Sequence, residues 1–329
     1  MEIVRSWREV PERLKGAVLA IGNFDGVHRG HQQVLREAIA IAKREGRRSG
    51  AVLFEPHPRE FFSPQTPFFR LTPLAVKLEL LEALGLDETF VIAFDGDLAS
   101  LSAGDFAAEV VAKGLGASHV VVGHDFSYGK GRSGTTEELV ALGRTLGFGV
   151  DVVEAVGESG VTFSSSRIRE LLRQGEVREA AEQLGYWWRV RGKVGAGAGR
   201  GKGLGFPTLN LPLAPGQDVG HGIYALRVDH DGRRHHAAGY VGSRPTFGGG
   251  EPALEAYLLD FAGDLYGKDV DVEFISFLRP DQTFATPEAL ADKMHEDCAR
   301  ARAVLAEIDA ADPMERFALA RALAKAPAT

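Results

Sequence analysis

An apolar run, Ala17-Val18-Leu19-Ala20-Ile21, passes into Gly22-Asn23-Phe24-Asp25-Gly26-Val27-His28-Arg29-Gly30-His31 and then into a segment whose apolar residues Val34, Leu35, Ala38, Ile39 and Ala42 recur at helical spacing. A short run without alternation reads as a parallel strand buried on both faces, and the later spacing reads as one face of a helix. The glycines between them let the chain turn tightly. The turn therefore delivers its residues to a helix N-terminus, where unpaired N–H groups and the positive end of the helix dipole attract anions. His28 and His31 stand one helical turn apart, so both would face an anion held there. Cap or surface histidines beside purely structural glycines would be the bland alternative, and the full succession of strand, turn and helix disfavours it.

The same alternation continues to about residue 155. Strands are expected at 17–21, 51–54, 89–93, 119–122 and 149–153, and helices at 32–45, 73–84, 103–113 and 136–146. Strands separated by helices imply right-handed crossovers and a parallel, Rossmann-like sheet covered on both faces. Ligands of such sheets sit at the carboxyl ends of the strands, where the His28/His31 turn falls. Two short helices, 165–173 and 177–183, follow. After Gly185-Tyr186-Trp187-Trp188 the pattern changes to short segments at 189–194, 209–211, 223–228, 236–241, 255–259 and 270–277, which suggests a small antiparallel barrel or sandwich. A C-terminal helical stretch from Pro287 to about Ala326 closes the chain. The fold class expected is thus α/β plus β, with domains 1–184 and 185–329.

Two domains agree with 329 residues at roughly 150 per domain. A net charge of −7 argues against a general nucleic-acid binder, because such a surface repels the phosphate backbone. Cys298 is the single cysteine, which excludes an internal disulfide framework and a thiolate zinc site, fits a reducing cytoplasm, and reads as a small buried hydrophobe. Met1 to Pro11 is charged and mixed, unlike a secretory leader, and no apolar run approaches the roughly 18 residues that span a bilayer. A cytoplasmic protein acting on small anions, without nucleic-acid or membrane partners and with at most weak homo-oligomerisation, is expected.

Three further segments fall near strand ends or helix starts. Phe54-Glu55-Pro56-His57-Pro58 is an extended, proline-fixed loop able to present His57 to a ligand, although such a histidine alone is more often loop surface. Gly123-His124-Asp125-Phe126-Ser127-Tyr128-Gly129-Lys130-Gly131 has the glycines and aromatics of a loop that approaches a flat ring. Ser164-Ser165-Ser166-Arg167-Ile168-Arg169 opens a helix, where serine hydroxyls, N–H groups and an arginine fork are all donors for phosphate.

In the second half, 192–210 holds seven glycines and three basic side chains and then turns into Gly205-Phe206-Pro207-Thr208-Leu209-Asn210. Composition alone would suggest a flexible linker. Yet Thr208 and Asn210, two apart, share one face of an extended segment. Neither a P-loop nor a dinucleotide fingerprint is satisfied. Glu255, by itself, reads as a solvated strand carboxylate.

Taken in order, the His28/His31 turn, the His57 loop, the Asp125 loop and the serine-rich helix start closely resemble the adenylyltransferase half of prokaryotic bifunctional FAD synthetases, the riboflavin kinase/FMN adenylyltransferase family. The segment ending Pro207-Thr208-Leu209-Asn210, then 242–247, Glu255-Ala256-Tyr257-Leu258-Leu259-Asp260-Phe261 and Leu265-Tyr266-Gly267-Lys268, resembles its riboflavin kinase half. Leu209 stands where the family has alanine, Ser166 where threonine is common, and Tyr240 where a smaller or amide residue is usual. The resemblance implies a bifunctional enzyme that phosphorylates riboflavin to FMN and adenylylates FMN to FAD, with ATP as co-substrate and Mg²⁺ as cofactor.

It also implies residue roles. Gly22, Asn23, His28 and His31 would meet the nucleotide phosphates, and Ser164, Ser165 and Arg169 the part of ATP that leaves as pyrophosphate. Asp125 would line the binding cleft. Gly199, Gly201 and Gly203 would hold ADP phosphates, Thr208 and Asn210 would contact Mg²⁺ and phosphate, and Glu255 would take the proton of the riboflavin 5′-hydroxyl. A rival reading is a nucleotidyltransferase for another small phosphate ester, with a flavin-binding barrel that is not catalytic.

Overall fold

The computed structural model describes residues 1–155, 157–158, 161–195, 206, 208–243 and 252–325. Gly199, Gly201, Gly203 and the segment 244–247 lie outside the described residues. The described chain forms two compact units, one of residues 1–68 and 72–165, the other of 69–71 and 166–329.

In the first unit β1 (Glu2–Val4), β2 (Val18–Ile21), β3 (Ser49–Glu55), β4 (Glu88–Ala93), β5 (His119–Gly123) and β6 (Gly149–Val153) form a sheet in the order β1-β4-β3-β2-β5-β6. Every pairing in it is parallel. The crossovers carry α1 (Arg29–Glu45), α2 (Pro58–Phe62), α3 (Leu74–Ala83), α4 (Gly96–Ser100), α5 (Ala103–Asp105) and α6 (Thr136–Leu146). From β2 the chain moves outward through β3 and β4 and then returns to place β5 on the other flank of β2, with Val18 paired to both Ser49 and His119. The crevice where strand order reverses therefore opens at the carboxyl end of β2. Val18, Leu19 and Ala20 are wholly buried there, as a parallel strand covered on both faces requires.

Two features differ from the sequence expectation. β1 has only three residues, too few for a period to emerge, and pairs with the edge of β4. The helix expected at 103–113 is α-helical only to Asp105 and continues over Phe106–Gly114 as a wider π-type turn, with Leu115 N–H bonded to the Val110 carbonyl at 2.8 Å. Both helix types place Phe106, Ala107, Val110 and Val111 in the core, so the apolar pattern does not separate them.

A two-stranded hairpin, β7 (Gly157–Glu158) and β8 (Val161–Thr162), precedes α7 (Ser165–Arg173) and α8 (Val177–Leu184). The second unit then forms β9 (Arg189–Lys193), β10 (Thr208–Pro212), β11 (Gly222–His230), β12 (Arg233–Ser243), β13 (Pro252–Leu258) and β14 (Asp269–Arg279) in the antiparallel order β10-β13-β12-β11-β14-β9. Its outer strands meet at one bridge, Gly195 N–H to the Asn210 carbonyl at 2.8 Å, which curls the sheet toward a barrel. Leu209, Leu211, Leu226, Val241, Leu254, Ala256 and Phe274 fill the inside. Each large apolar side chain buried there contributes about 1.5–3 kcal/mol.

On the other face Ala225 and Ile275 pack with Cys298, Ala301, Leu305 and Ile308 of the long helix α9 (Pro287–Ala310). The Arg279 guanidinium grips Asp297 of that helix through Nε at 3.0 Å and Nη2 at 2.7 Å. The helical stretch expected to reach residue 326 is interrupted. Pro313 cannot continue a helix, so a 3₁₀ turn over Pro313–Arg316 separates α9 from α10 (Ala318–Leu323). Asp312 caps that turn by accepting from Met314 N–H at 2.9 Å and also takes bonds from the Trp187 indole and Arg227. Among the described residues no helix is long and apolar enough to cross a membrane.

Candidate functional site

The turn at the end of β2 is strained and tightly held. Phe24 has φ 45° and Val27 φ 40°, a left-handed region that costs a bulky or β-branched residue about 1–3 kcal/mol. Both side chains are buried, 2% and 0% exposed, so burial helps to keep them there. The backbone between them is fixed from outside. Gly26 N–H donates to Thr72 Oγ1 at 2.9 Å, and Thr72 donates through N–H (3.1 Å) and hydroxyl (3.3 Å) to Asp25 Oδ1. Lys77 Nζ donates to the Asn23 carbonyl at 2.7 Å, Gln32 Nε2 to the Val27 carbonyl at 2.9 Å, and Ser165 Oγ to the Asp25 carbonyl at 2.8 Å.

This scaffold aligns the two histidines. His28 is the N-cap of α1, and its Nδ1 accepts the His31 N–H at 3.3 Å. In the neutral ring that bond leaves the proton on Nε2, which is then a donor. The two imidazoles stack with centroids 3.6 Å apart and 20° between planes, and Phe24 meets His31 edge-on at 5.4 Å. Gly30 needs its missing side chain, since a Cβ would stand 3.1 Å from the His28 ring. Gly22 is similarly close to Phe24. Asn23 Oδ1 is buried without a hydrogen-bond partner. Turned end for end, the same amide presents two N–H donors, so the group is suited to a ligand the turn would hold.

The other residues of this constellation are placed as follows. Ser165 is the first residue of α7 and ties to the turn through Asp25, with half-buried Ser164 just before it. Arg169 is buried, 7% exposed, in the second unit, and its Nε donates to the Phe69 carbonyl at 2.6 Å. Asp125 is exposed in the turn after β5, closed by Phe126 N–H to the Gly123 carbonyl. The neighbouring aromatics do not both stand ready for a flat ligand. Tyr128 lies in the core against Phe106 and beside Phe126, and burial pushes its phenol up to about 12. His57 caps α2, its Nδ1 accepting the Arg59 N–H at 3.1 Å, and so has a structural task.

In the second unit the register does what spacing alone could not. Asn210 of β10 pairs directly with Glu255 of β13, and Thr208 with Tyr257. Paired residues share a face, so Thr208, Asn210 and Glu255 stand together on the outer side, while Leu209 between them points inward and is 7% exposed. Asn210 is nearly buried and its Nδ2 donates to the Thr208 carbonyl at 3.3 Å. Phe206 closes this end against Tyr257 and His295, ring centroids 5.0 and 4.9 Å away.

Thr72 and Lys77 are missing from the sequence reading, although they hold the turn. A signal for Lys77 was present. It interrupts the apolar side of α3 between Val76 and Leu80, and a lysine that is 3% exposed needs a partner.

Residues 10–167 match a family model described as FAD synthetase, and residues 184–305 one described as riboflavin kinase. The chain is similar to the bifunctional riboflavin kinase/FMN adenylyltransferase of Pseudomonas fluorescens, 39% identical over 307 residues that cover 93% of this chain and 98% of the relative. The protein of the same description from Escherichia coli K12 is 36% identical, covering 88% and 92%. A crystal structure from Streptococcus pneumoniae described as a macrolide-efflux protein superposes with TM-score 0.83 at 28% identity, over 91% of this chain and 98% of that one.

Proposed function

This chain belongs to the bifunctional riboflavin kinase/FMN adenylyltransferase family, and from that premise we propose how its residues divide the two reactions. The protein phosphorylates riboflavin to FMN and adenylylates FMN to FAD. We place the transferase within residues 1–184 and the kinase within 185–329. The two family matches end at 167 and begin at 184.

In the transferase, an oxygen of the FMN phosphate attacks the α-phosphorus of ATP, and the bond to pyrophosphate breaks. The His28 and His31 imidazoles and the first N–H groups of α1 meet the charge that develops on the α-phosphate oxygens. Gly22 lets the nucleotide approach the backbone, and Asn23 contributes its amide. Ser164, Ser165 and Arg169 hold the departing pyrophosphate, and Asp125 borders the cleft. Preorganised donors of this kind need no covalent enzyme intermediate.

In the kinase, Glu255 accepts the proton of the riboflavin 5′-hydroxyl while its oxygen bonds to the γ-phosphorus and ADP leaves. Backbone around Gly199, Gly201 and Gly203 holds the ADP phosphates. The Thr208 hydroxyl and Asn210 amide are hard oxygen donors that fit Mg²⁺ arriving with ATP. Thr208 and Asn210 would be the residues that meet the ion, since among the described residues no group of three or more His, Cys, Asp or Glu could hold a metal. Mg²⁺ supplies charge neutralisation along the phosphates. We place the enzyme in the cytoplasm, where ATP is at hand and its lone thiol stays reduced.

The pairing of Asn210 with Glu255 is the observation that supports this reading, because it brings the two side chains next to each other on one face. Its test is Glu255→Gln, which keeps the shape and removes the basicity. Riboflavin phosphorylation should fall about 10²–10⁴-fold in kcat, with FAD formation from supplied FMN unchanged. Kinase turnover within about threefold of the parent, well inside that range, would make Glu255 a structural carboxylate.

A further inference from the structure

The strand that carries Thr208 and Asn210 is weakly held where it begins. β10 lies at the margin of its sheet and pairs along Thr208–Pro212 with β13. On its other side the described residues supply one bridge, between Gly195 and Asn210. Pro207, just before the strand, has no N–H to give. A strand paired mainly on one side frays at its end, so side-chain contacts must fix where Thr208 stands.

Phe206 supplies such contacts. It is 5% exposed and belongs to the apolar cluster that includes Leu259 and the α9 residues Cys298, Ala301 and Leu305. Two rings meet it edge-on with 73° between planes: Tyr257, the register partner of Thr208, at 5.0 Å between centroids, and His295 of α9 at 4.9 Å. Both distances suit edge-to-face aromatic pairs. Tyr257 belongs to β13, which already pairs with β10, whereas His295 ties the start of the strand to the helix.

The imidazole is itself fixed. Its Nδ1 lies 2.8 Å from the Ala291 carbonyl one turn earlier, and a carbonyl only accepts, so Nδ1 carries the proton and the ring is held along the helix. The helix is gripped close by, where Arg279 binds Asp297 and Arg300 Nη2 donates to the Leu278 carbonyl at 2.8 Å. Packing of α9 does not call for a histidine here. Residue 295 is exposed and stands outside the buried stripe of Asp297, Cys298, Ala301 and Leu305.

We propose that His295 is a positioning residue for the kinase: through Phe206 it holds the start of β10, and with it the Thr208 hydroxyl and Asn210 amide, in the arrangement that receives ATP and Mg²⁺. This deepens the kinase assignment and rests on Thr208 and Asn210 being the groups that meet Mg²⁺ and phosphate. A strand start that drifts is recaptured when those ligands bind, so the ordering cost falls on their affinity and vanishes at saturation.

The test is steady-state riboflavin phosphorylation by the full chain. His295→Ala should raise the KM for MgATP about 2–13-fold, the worth of one aromatic pair, with kcat and the riboflavin KM at saturating ATP unchanged. His295→Phe, which keeps a ring at the same place, should recover most of the loss. Phe206→Leu should itself raise the MgATP KM, and in that background His295→Ala should add a smaller factor than in the parent, because a contact made through Phe206 is already gone. Alanine favours the helix at an exposed position, and an intact kcat reports a folded kinase. A parent-like MgATP KM in His295→Ala, an equal rise in the riboflavin KM, a fall in kcat, no recovery in His295→Phe, or the full effect persisting in Phe206→Leu would each overturn the proposal. Thr208→Val with a parent-like MgATP KM would instead remove the binding role of the strand, and it is read separately.

Discussion

Thr72→Val tests the claim that the strained histidine turn is held from outside. Valine matches threonine in shape but lacks the hydroxyl, and position 72 is 2% exposed, so water cannot substitute freely. Two bonds disappear: Gly26 N–H to Oγ1 at 2.9 Å and Oγ1 to the Asp25 carboxylate at 3.3 Å. A neutral hydrogen bond contributes about 0.5–1.5 kcal/mol and one to a charged group about 1.5–3, so the loss should be about 2–4 kcal/mol. That is smaller than the total stability of a typical domain, about 5–15 kcal/mol, so the protein stays folded. It rivals the strain of about 1–3 kcal/mol at each of Phe24 and Val27. The turn should therefore relax and displace the imidazoles from the N-terminus of α1. With tenfold in rate for each 1.36 kcal/mol, a loss of that size carried in full into the transition state should lower FAD formation about 30–10³-fold. FMN formation should stay within twofold. Thr72→Ser, which keeps the hydroxyl, should recover most of the loss. Parent-like FAD synthesis by Thr72→Val, with an unchanged urea midpoint for loss of that activity, would refute the argument.

Other outcomes follow from the same geometry. His31→Ala should lower FAD formation about 10²–10³-fold, the scale for one preorganised donor at a reacting oxyanion, with FMN formation intact; equal loss of both in folded protein would contradict the assignment. Burial pushes the Cys298 thiol up to about 11, so it remains protonated and unreactive at pH 8 and ionises only as pH rises toward that value. A thiol reagent should then label native protein at least about tenfold more slowly than urea-unfolded protein, and equal rates would show that Cys298 is not enclosed in the core.

The β2–turn–α1 unit was legible because a strand buried on both faces and a helix with one apolar face leave different residue patterns. β1 was not, since three residues at a sheet edge carry no period. The π-type turn at Phe106–Gly114 hides because both helix types bury the same residues. The break before Pro313 was visible in the proline, but helical apolar spacing resumes at Leu319 and masks it. At the sites, residue types and order pointed to the histidines, the serine-rich helix start and the Thr208/Asn210 strand. The contacts by which Thr72 and Lys77 hold the turn span 47 and 54 residues and depend on the packed fold. The pairing of Asn210 with Glu255 is a matter of register, which neither strand encodes alone.

Two chemically independent constellations on one chain should complement each other in trans. Full-length His28→Ala and Glu255→Gln are each supplied with riboflavin, ATP and Mg²⁺, alone and mixed, and the flavins are separated by chromatography. His28→Ala should accumulate FMN, Glu255→Gln should leave riboflavin unchanged yet convert added FMN to FAD, and the mixture should carry riboflavin through to FAD. A folded variant that loses both reactions, or a mixture that yields no FAD, would contradict that independence.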